Sequence, residues 1–171
     1  LGLFAAEGIK SVRELIEGGM VLKYLFATSE YENNFHSEAL VTVDAATLKK
    51  LSNLKTPSGV LGVFEIPQKP LLIRSGLTLV LDEINDPGNL GTIIRLCDWF
   101  GVDQLVCSKN TVDCYNPKVV QASMGSLARV SIVYCDLEEF LKNDGRPVYG
   151  TFLKGNSIYQ CDLNPDLILV M

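Results

Sequence analysis

The sequence is poor in the residues that build disulfide frameworks and metal centres. It has 5 cysteines, with no Cys-x-x-Cys pair, and a single histidine, His36. This pattern favours neither a disulfide scaffold nor a zinc site, so we expect buried, reduced thiols in a cytoplasmic protein without a metal. We interpret His36 as a surface or turn residue, because this single histidine allows neither a Ser-His-Asp triad nor a His-based metal site.

Long apolar runs and an excess of positive charge are also missing. No apolar stretch approaches the ~18 residues that a membrane helix needs, so we expect no membrane partner. The formal net charge is -5, which disfavours an extended, non-specific nucleic-acid binder. A few local cations can still act together. Two interpretations stay open for the cations of the second half: they form a basic patch, or they are ordinary solvated charges. These cations are Arg95, Lys109, Lys118 and Arg129.

Strand and helix patterns alternate through the whole chain, whose 171 residues are 47% hydrophobic and 20% charged. This composition is typical of a globular protein, and the alternation predicts an α/β fold. The prolines of the segment Pro67-Gln68-Lys69-Pro70 favour an extended linker. We therefore predict a first domain at 1–69 and a second domain at 70–171.

The first domain is predicted to contain four strands and two helices. The strands are expected at 3–6, 21–27, 40–43 and 60–66. Ser11 and Glu14 have the spacing of a capping box, which predicts that one helix begins near Ser11. Asp44 can cap the second helix. The apolar face of this second helix is expected at Leu48, Leu51 and Leu54.

The second domain repeats the alternation with shorter connections. Strands are predicted at 77–81, 104–107, 130–134, 147–151 and 167–171, and helices at 90–100, 117–124 and 137–143. This order predicts a parallel sheet with helices on both faces. Since such sheets bind their ligands at the carboxyl ends of the strands, we expect the functional site at that edge.

The segment 85–95 is the strongest candidate for a functional site. It reads Asn-Asp-Pro-Gly-Asn-Leu-Gly-Thr-Ile-Ile-Arg and directly follows the apolar strand 77–81. Asn89 and Arg95 would then lie near the working edge of the sheet. An ordinary turn uses the same residue types, in which case Asn89 only caps a helix and Arg95 is a surface arginine. A dinucleotide-binding loop is a weaker alternative, because the Gly-x-Gly-x-x-Gly spacing is missing.

Two motifs of the second half resemble those of one enzyme family. Asn89-Leu-Gly91-Thr-Ile-Ile-Arg95 has the spacing Asn-x-Gly-x-x-x-Arg, and a second block, Asn116-Pro-Lys118, continues to Ser123 and Gly125. Both are similar to motifs of the SpoU/TrmH family of RNA 2′-O-ribose methyltransferases, in the SPOUT superfamily. At the position of Gln121, this family often has an arginine. In the first half, the segments 7–12 and 56–60 resemble landmarks of the family's substrate-binding domain.

The resemblance implies a fold and a reaction. The fold would be a small ribosomal-protein-like α/β substrate-binding domain, followed by a parallel-sheet SPOUT (α/β knot) methyltransferase domain. The reaction would transfer a methyl group from S-adenosylmethionine to a ribose 2′-hydroxyl of ribosomal or transfer RNA, in a homodimer. Arg95 and Asn89 would be catalytic. The cofactor-binding residues would be Thr151, Phe152, Leu153 and Met171, and the RNA-binding residues Asn116, Lys118, Ser123 and Arg129.

Two questions remain open within this resemblance. A guanidinium is always protonated in proteins, so we assign Arg95 to a phosphate and the developing oxyanion, with proton acceptance as the alternative role. The family's second and third motifs would follow Met171, so we expect a chain cut before the knot. A non-catalytic RNA-binding member of the same fold is therefore an alternative function.

Overall fold

A computed structural model of the chain describes residues 2–68 and 71–171. Leu1 and the predicted linker residues Lys69 and Pro70 lie outside the described residues, so the predicted domain boundary stays a prediction. We call residues 2–68 the N-terminal unit and residues 71–171 the C-terminal unit. Within these residues, no helix is both long and apolar enough to cross a membrane.

The N-terminal unit is a four-stranded sheet with two helices. Its elements are β1 (Leu3–Glu7), α1 (Ile9–Glu17), β2 (Leu22–Ala27), β3 (Leu40–Thr42), α2 (Ala45–Leu51) and β4 (Val60–Glu65). The strand order is β1-β4-β2-β3. β4 runs antiparallel to both of its neighbours, whereas β2 and β3 are parallel. All four predicted strands are confirmed within one or two residues at each end.

The C-terminal unit is a five-stranded parallel sheet. Its elements are β5 (Leu77–Leu81), α3 (Pro87–Phe100), β6 (Gln104–Ser108), α4 (Pro117–Ser123), β7 (Ile132–Cys135), α5 (Leu137–Asp144), β8 (Val148–Gly150) and β9 (Leu167–Val170). The strand order is β7-β6-β5-β9-β8, and each neighbouring pair is parallel. The predicted α/β fold with a parallel sheet is confirmed.

Helices cover both faces of this parallel sheet. Val80, Val106 and Ile168 are buried against Phe140 of α5 on one face. The other face packs on α3 and α4 through a larger cluster, which includes Leu79, Leu105, Leu90, Ile94 and Val119. Burial on both faces explains why β5 is a continuous apolar run and does not alternate with polar residues. The sheet is therefore a rigid support for the loops at its edges.

Local signals determine where α3 begins and ends. The carboxylate of Asp86 accepts a hydrogen bond from the backbone N–H of Asn89 at 2.7 Å, and Pro87 occupies the first turn. Both are favoured at a helix N-terminus. Gly101 ends the helix in the left-handed conformation, with φ 64°, which glycine adopts at low cost. α3 therefore begins three residues before the predicted start at 90.

Two local predictions for the N-terminal unit were wrong. Gly8, and not a serine, is the N-cap of α1, which has no side-chain cap; Ser11 is instead buried within the helix. α2 ends at Leu51, so Leu54 lies outside it. The predicted cap of α2 is confirmed, since Asp44 accepts a hydrogen bond from the backbone N–H of Thr47 at 2.6 Å.

Candidate functional site

The carboxyl ends of β5, β9 and β8 meet at one edge of the parallel sheet. The backbone N–H of Met171 donates to the carbonyl of Val80 at 2.9 Å, and that of Asp82 donates to the carbonyl of Met171 at 3.2 Å. The N–H of Thr151 donates to the carbonyl of Val170 at 3.0 Å. Of the four predicted cofactor residues, Met171 therefore lies beside β5, the strand that leads into the motif, and Thr151 lies beside β9, one strand further along the sheet.

Apolar side chains surround this edge without being buried. Phe152 is 80% exposed and Met171 is 50% exposed, and Leu153 projects fully into solvent. A Cβ on Gly150 would stand 2.5 Å from the ring of Phe152. The glycine therefore allows the aromatic ring to lie over the end of β8. The predicted cofactor residues thus form an apolar rim at the carboxyl edge of the sheet.

The loop between β5 and α3 is fixed to the end of β6. Glu83 adopts the left-handed region, with φ 52°, and its backbone N–H donates to Oγ of Ser108 at 2.9 Å. Its carboxylate accepts a hydrogen bond from Nδ2 of Asn110 at 2.9 Å. Strained backbone of this kind is concentrated at functional sites. The sequence analysis missed Glu83, although the two acidic residues that follow the buried strand β5 were a usable signal.

Asn89 lies in the first turn of α3, with an exposed side chain. Since Asp86 is the N-cap, the alternative that Asn89 only caps the helix is wrong. Arg95 follows six positions later, about 9 Å further along the helix axis and about 120° around it. The two predicted catalytic residues therefore share a helix but not a face, and their catalytic roles stay predictions.

Gly91, the central residue of the motif, allows α3 to pack closely on α4. A Cβ at this position would stand 2.4 Å from Cβ of Ala122 and 3.0 Å from two backbone atoms of the same helix. Because the contact is with backbone, a larger residue at position 91 would fit only if one of the two helices moved. The glycine of the motif therefore has a packing role, which positions the helix that carries Arg95.

Arg95 lines a cleft between the two units, with a volume of about 720 Å³. Lys10 and Glu14 of α1 form one wall of the cleft, and Thr92, Arg95 and Trp99 of α3 form the other. In the part of the chain that the structure describes, none of the ion pairs involves Arg95. Its guanidinium is therefore available to an anion that enters the cleft.

The cleft contains residues that sequence reasoning did not select. Trp99 is 83% exposed, and it lies four positions after Arg95, on the same face of α3. Lys10, from the N-terminal unit, adds a further cation to the cleft. The spacing of Arg95 and Trp99 was visible in the sequence. The approach of Lys10 was not, because it depends on how the two units pack.

The predicted RNA-binding residues of α4 divide into two groups. Asn116 caps the helix, since its Oδ1 accepts a hydrogen bond from the backbone N–H of Lys118 at 3.0 Å, and Lys118 itself is exposed. Ser123 is fully buried, and its hydroxyl donates to the carbonyl of Val120 at 2.9 Å. A side chain in that position cannot reach RNA, so the predicted contact of Ser123 is wrong. The RNA contacts of Asn116 and Lys118 stay predictions.

Arg129 is held by two carboxylates. Its Nε donates to both carboxylate oxygens of Asp98 at 3.0 Å, and its Nη2 donates to Oδ2 at 2.7 Å. Its Nη1 donates to Oε2 of Glu14 at 3.0 Å. The guanidinium lowers the pKa of Asp98 below its usual value. The predicted RNA contact of Arg129 stays a prediction, and its visible role is to connect two helices.

The buried thiols are not suited to nucleophilic catalysis. Burial raises the pKa of Cys97 to about 11 and the pKa values of Cys107 and Cys114 to about 12. The reactive species is the thiolate, which is scarce at neutral pH in such surroundings. Among the described residues, no group of three or more His, Cys, Asp or Glu side chains is arranged to hold a metal ion.

Two family models match the chain. The SpoU rRNA Methylase family matches residues 76–171, and the MRM3-like substrate binding domain matches residues 1–62. The substrate binding domain match covers most of the four-stranded sheet of the N-terminal unit, and the SpoU match covers the parallel sheet of the C-terminal unit. The first match contains the motif 89–95 and the complete parallel sheet.

Curated relatives are similar over most of this chain. The mitochondrial rRNA methyltransferase 3 of Mus musculus is 32% identical over 146 residues, which are 77% of this chain and 35% of that protein. The 23S rRNA (guanosine(2553)-2'-O)-methyltransferase RlmP of Bacillus subtilis (strain 168) is 29% identical over 165 residues, which are 92% of this chain and 65% of that protein. The chain thus spans about a third of the mouse relative and just under two thirds of the bacterial one.

Solved structures superpose on nearly the whole chain. A protein of the TrmH family from Porphyromonas gingivalis has a TM-score of 0.86 at 37% identity and covers 99% of this chain and 71% of its own. An AdoMet-bound rRNA methyltransferase from Sinorhizobium meliloti has a TM-score of 0.83 at 28% identity and covers 99% of this chain and 70% of its own. Because the SpoU match spans more than half of the chain and includes both the motif and the parallel sheet, the chain belongs to the SpoU rRNA methylase family.

Proposed function

We propose that this protein transfers a methyl group from S-adenosylmethionine to a ribose 2′-hydroxyl of ribosomal RNA. Membership of the SpoU family supports this proposal, and so do the names of the mouse and Bacillus relatives, which are rRNA methyltransferases. The observation that carries it is Arg95. This cation of the family motif is exposed, lines the cleft between the units and has no ion-pair partner among the described residues.

The carboxyl edge of the sheet fits an adenosyl cofactor. Nucleoside sites combine apolar walls with a few polar groups that fix orientation. Phe152, Leu153 and Met171 offer exposed apolar side chains, and Thr151 offers a hydroxyl at the same edge. We propose that these four residues hold S-adenosylmethionine, which is bound in the related structure from Sinorhizobium meliloti. When bound, it supplies an electrophilic methyl carbon.

Arg95 would act on the ribose and not on the cofactor. A ribose hydroxyl is a weak nucleophile, so negative charge must be stabilised on its oxygen as it attacks. A guanidinium is planar, permanently charged and able to bind phosphate through two parallel hydrogen bonds. Arg95 can therefore hold the RNA phosphate and stabilise the oxyanion, while the proton leaves to a phosphate oxygen or to water. Asn89, at the start of the same helix, would contact the RNA nearer the sheet edge.

Ribosomal RNA is the substrate that the relatives favour over transfer RNA, since both of the curated relatives described above are named for rRNA. The same names favour an enzyme over a non-catalytic RNA-binding protein. Lys118 is exposed and can bind the RNA backbone, and Asn116, the cap of α4, is partly exposed beside it. Phosphate contacts of this kind orient an RNA without selecting its sequence.

We also propose a homodimer located in the cytoplasm. β8 is an edge strand of the parallel sheet, and its Val148 is about half exposed; an uncovered sheet edge is a surface on which a second chain can pair. A dimer mass by light scattering supports the assembly, and a monomer at high protein concentration refutes it. The cytoplasmic location is supported by the free thiols of all 5 cysteines, which are typical of a reducing compartment.

The role of Arg95 is tested by Arg95→Ala. Removal of one charged oxyanion donor lowers kcat roughly 10²–10³-fold. Because the side chain is exposed, the free energy of unfolding should change by less than about 0.5 kcal/mol. Methyl transfer to rRNA from labelled S-adenosylmethionine measures the first quantity, and urea denaturation measures the second. Arg74→Ala is the matched control, because Arg74 is exposed and, among the described residues, donates only to the carbonyl of Asn143.

Arg95→Lys separates the two roles considered for this arginine. A lysine that stabilises charge works while it is protonated, so activity should fall as the pH rises towards the lysine pKa of about 10.4. A lysine that accepts a proton works only when neutral, so activity would rise over the same range. The wild-type profile measured in parallel removes the pH dependence of the RNA and the cofactor. Undiminished activity of Arg95→Ala would contradict both roles.

A further inference from the structure

One guanidinium connects the two units of the protein. Arg129 follows the 3₁₀ turn Ser126–Ala128 of the C-terminal unit. It donates three hydrogen bonds to Asp98 of α3 and one to Glu14 of α1, in the N-terminal unit. Hydrogen bonds from several nitrogens of one planar fork fix direction as well as distance. Arg129 therefore orients α1 relative to α3.

Two glycines allow a close contact between the units beside the ion pairs of Arg129. A Cβ on Gly18, at the end of α1, would stand 2.4 Å from Cβ of Ala128. A Cβ on Gly125 would stand 2.3 Å from Cβ of Glu14. Neither position accepts a methyl group unless the units move apart. We call this contact between α1 and the turn 125–129 the joint.

A second contact between the units lies away from the joint. The ring of Phe4 in β1 packs on the ring of Tyr115 just before α4, with centroids 4.9 Å apart. Phe4 is buried in a core cluster that includes residues of both units. Because the units are in contact at two separate places, neither unit can rotate freely about one of these contacts. The structures from Porphyromonas gingivalis and Sinorhizobium meliloti, at 37% and 28% identity, superpose on 99% of this chain with TM-scores of 0.86 and 0.83, as expected if the arrangement of the two units recurs.

The joint borders the cleft that contains Arg95. Glu14, Asp98 and Arg129 line the same cleft as Lys10 and Arg95. The separation of its two walls therefore depends on the joint. We infer that Arg129 is a positioning residue, which holds the N-terminal unit so that RNA bound on that unit meets Arg95. This inference rests on the proposed methyl transfer to RNA.

A direct RNA contact is the competing explanation of Arg129, and Glu14→Ala distinguishes the two. Loss of the Glu14 carboxylate opens the joint but leaves the Arg129 side chain in place. If Arg129 is a positioning residue, Glu14→Ala weakens RNA binding as Arg129→Ala does. If Arg129 binds RNA directly, removal of a competing carboxylate strengthens RNA binding. The two explanations thus predict changes of opposite sign.

The first test measures the joint without any reaction. Residual dipolar couplings of backbone N–H groups give an alignment tensor for each unit. In the wild type the two tensors should agree, as for one rigid body. In Arg129→Ala and Glu14→Ala the tensors should differ in magnitude. Lys23→Gln is the control, since it breaks the Lys23–Glu65 ion pair of similar exposure inside the N-terminal unit, and its tensors should agree. Agreement in both joint variants overturns the inference, whatever the protein catalyses.

The second test measures the consequence for methyl transfer. If about a tenth of the variant molecules keep the competent arrangement, KM for the rRNA transcript rises about tenfold. The dissociation constant for S-adenosylmethionine stays unchanged, because Thr151 and Met171 lie away from the joint, at the sheet edge. Arg129→Lys, which can pair with one carboxylate at a time, should give an intermediate KM. A KM that falls in Glu14→Ala overturns the inference; absence of methyl transfer in the wild type, with tensors as expected, refutes the proposed function but not the joint.

Discussion

Replacement of Gly91 by alanine should force α3 and α4 apart. The new Cβ would stand 2.4 Å from Cβ of Ala122, whereas carbon atoms pack at about 3.5–4.0 Å. The two helices would therefore have to separate by more than about 1 Å. The neighbouring atoms belong to an alanine and to backbone, so no flexible side chain can move away instead.

Two opposing effects determine the magnitude of this change. Overpacking of a close-packed contact costs about 1–3 kcal/mol, and the rigid neighbours place Gly91→Ala at the upper end. Alanine in a helix interior is favoured over glycine by about 1 kcal/mol. The net loss in the free energy of unfolding should be about 2 kcal/mol. For a chain of this size, that corresponds to a fall in Tm of roughly 4–8 °C.

Urea denaturation of three variants tests this reasoning. Gly88→Ala is the matched control, since the same helix is changed at a position where the added Cβ meets only a side-chain oxygen of Asp86; we expect a small effect. The double variant Gly91→Ala with Ala122→Gly should recover most of the lost stability, because the two sites are in contact. A Gly91→Ala protein as stable as the wild type would refute the packing role of the motif glycine.

Two further predictions concern buried and paired carboxylates. Asp144→Ala removes the partner of Arg146, whose side chain is only 8% exposed, and we expect the free energy of unfolding measured in urea to fall by about 3–5 kcal/mol; a loss below about 1 kcal/mol would contradict this. Arg129 holds the pKa of Asp98 below its usual value, so the stabilisation from this pair is present above the unfolded pKa of about 3.9 and is lost as the pH falls through the lower, folded value. Asp98→Asn should therefore be less stable than the wild type at pH 7, and the difference should shrink at acidic pH; a difference that grows on acidification would show that the sign is wrong.

The sequence was sufficient to predict the order of the secondary structure. Continuous apolar runs such as 77–81 and 104–107 predicted buried strands, and Gly101 predicted the end of α3. Those signals are local, because a strand buried on both faces and a left-handed helix end each depend on neighbouring residues in the chain. The start of α3 was placed too late, because Asn89 and Asp86 are both good caps and the sequence does not rank them.

The roles of charged residues could not be predicted in the same way. Glu14 had the spacing of a capping-box residue, but it pairs with Arg129, which lies 115 positions away. Arg129 was assigned to RNA, but its visible partners are two carboxylates. Ser123 matched a motif but is buried. Each of these outcomes depends on contacts between segments that are far apart in the sequence, and such contacts leave no periodic signal.

The motif itself has more than one physical role. Gly91 sets the distance between α3 and α4, and Arg95 is left available in the cleft. Asn89 lies at the helix start, on another face. The residues of the motif point to different partners because, in our interpretation, the motif both positions a helix and binds RNA. Loss of activity in a Gly91 variant would therefore be accompanied by a loss of stability, whereas loss of activity in an Arg95 variant would not.

Mass spectrometry of digested rRNA tests the central claim most directly. The protein is incubated with an unmodified rRNA transcript and isotopically labelled S-adenosylmethionine, and the nucleosides released by digestion are then identified. We predict a labelled 2′-O-methyl nucleoside in the wild-type reaction and its absence in the Arg95→Ala reaction. Label on a nucleobase, or no label from a wild-type protein that binds both RNA and S-adenosylmethionine, would contradict the proposed function.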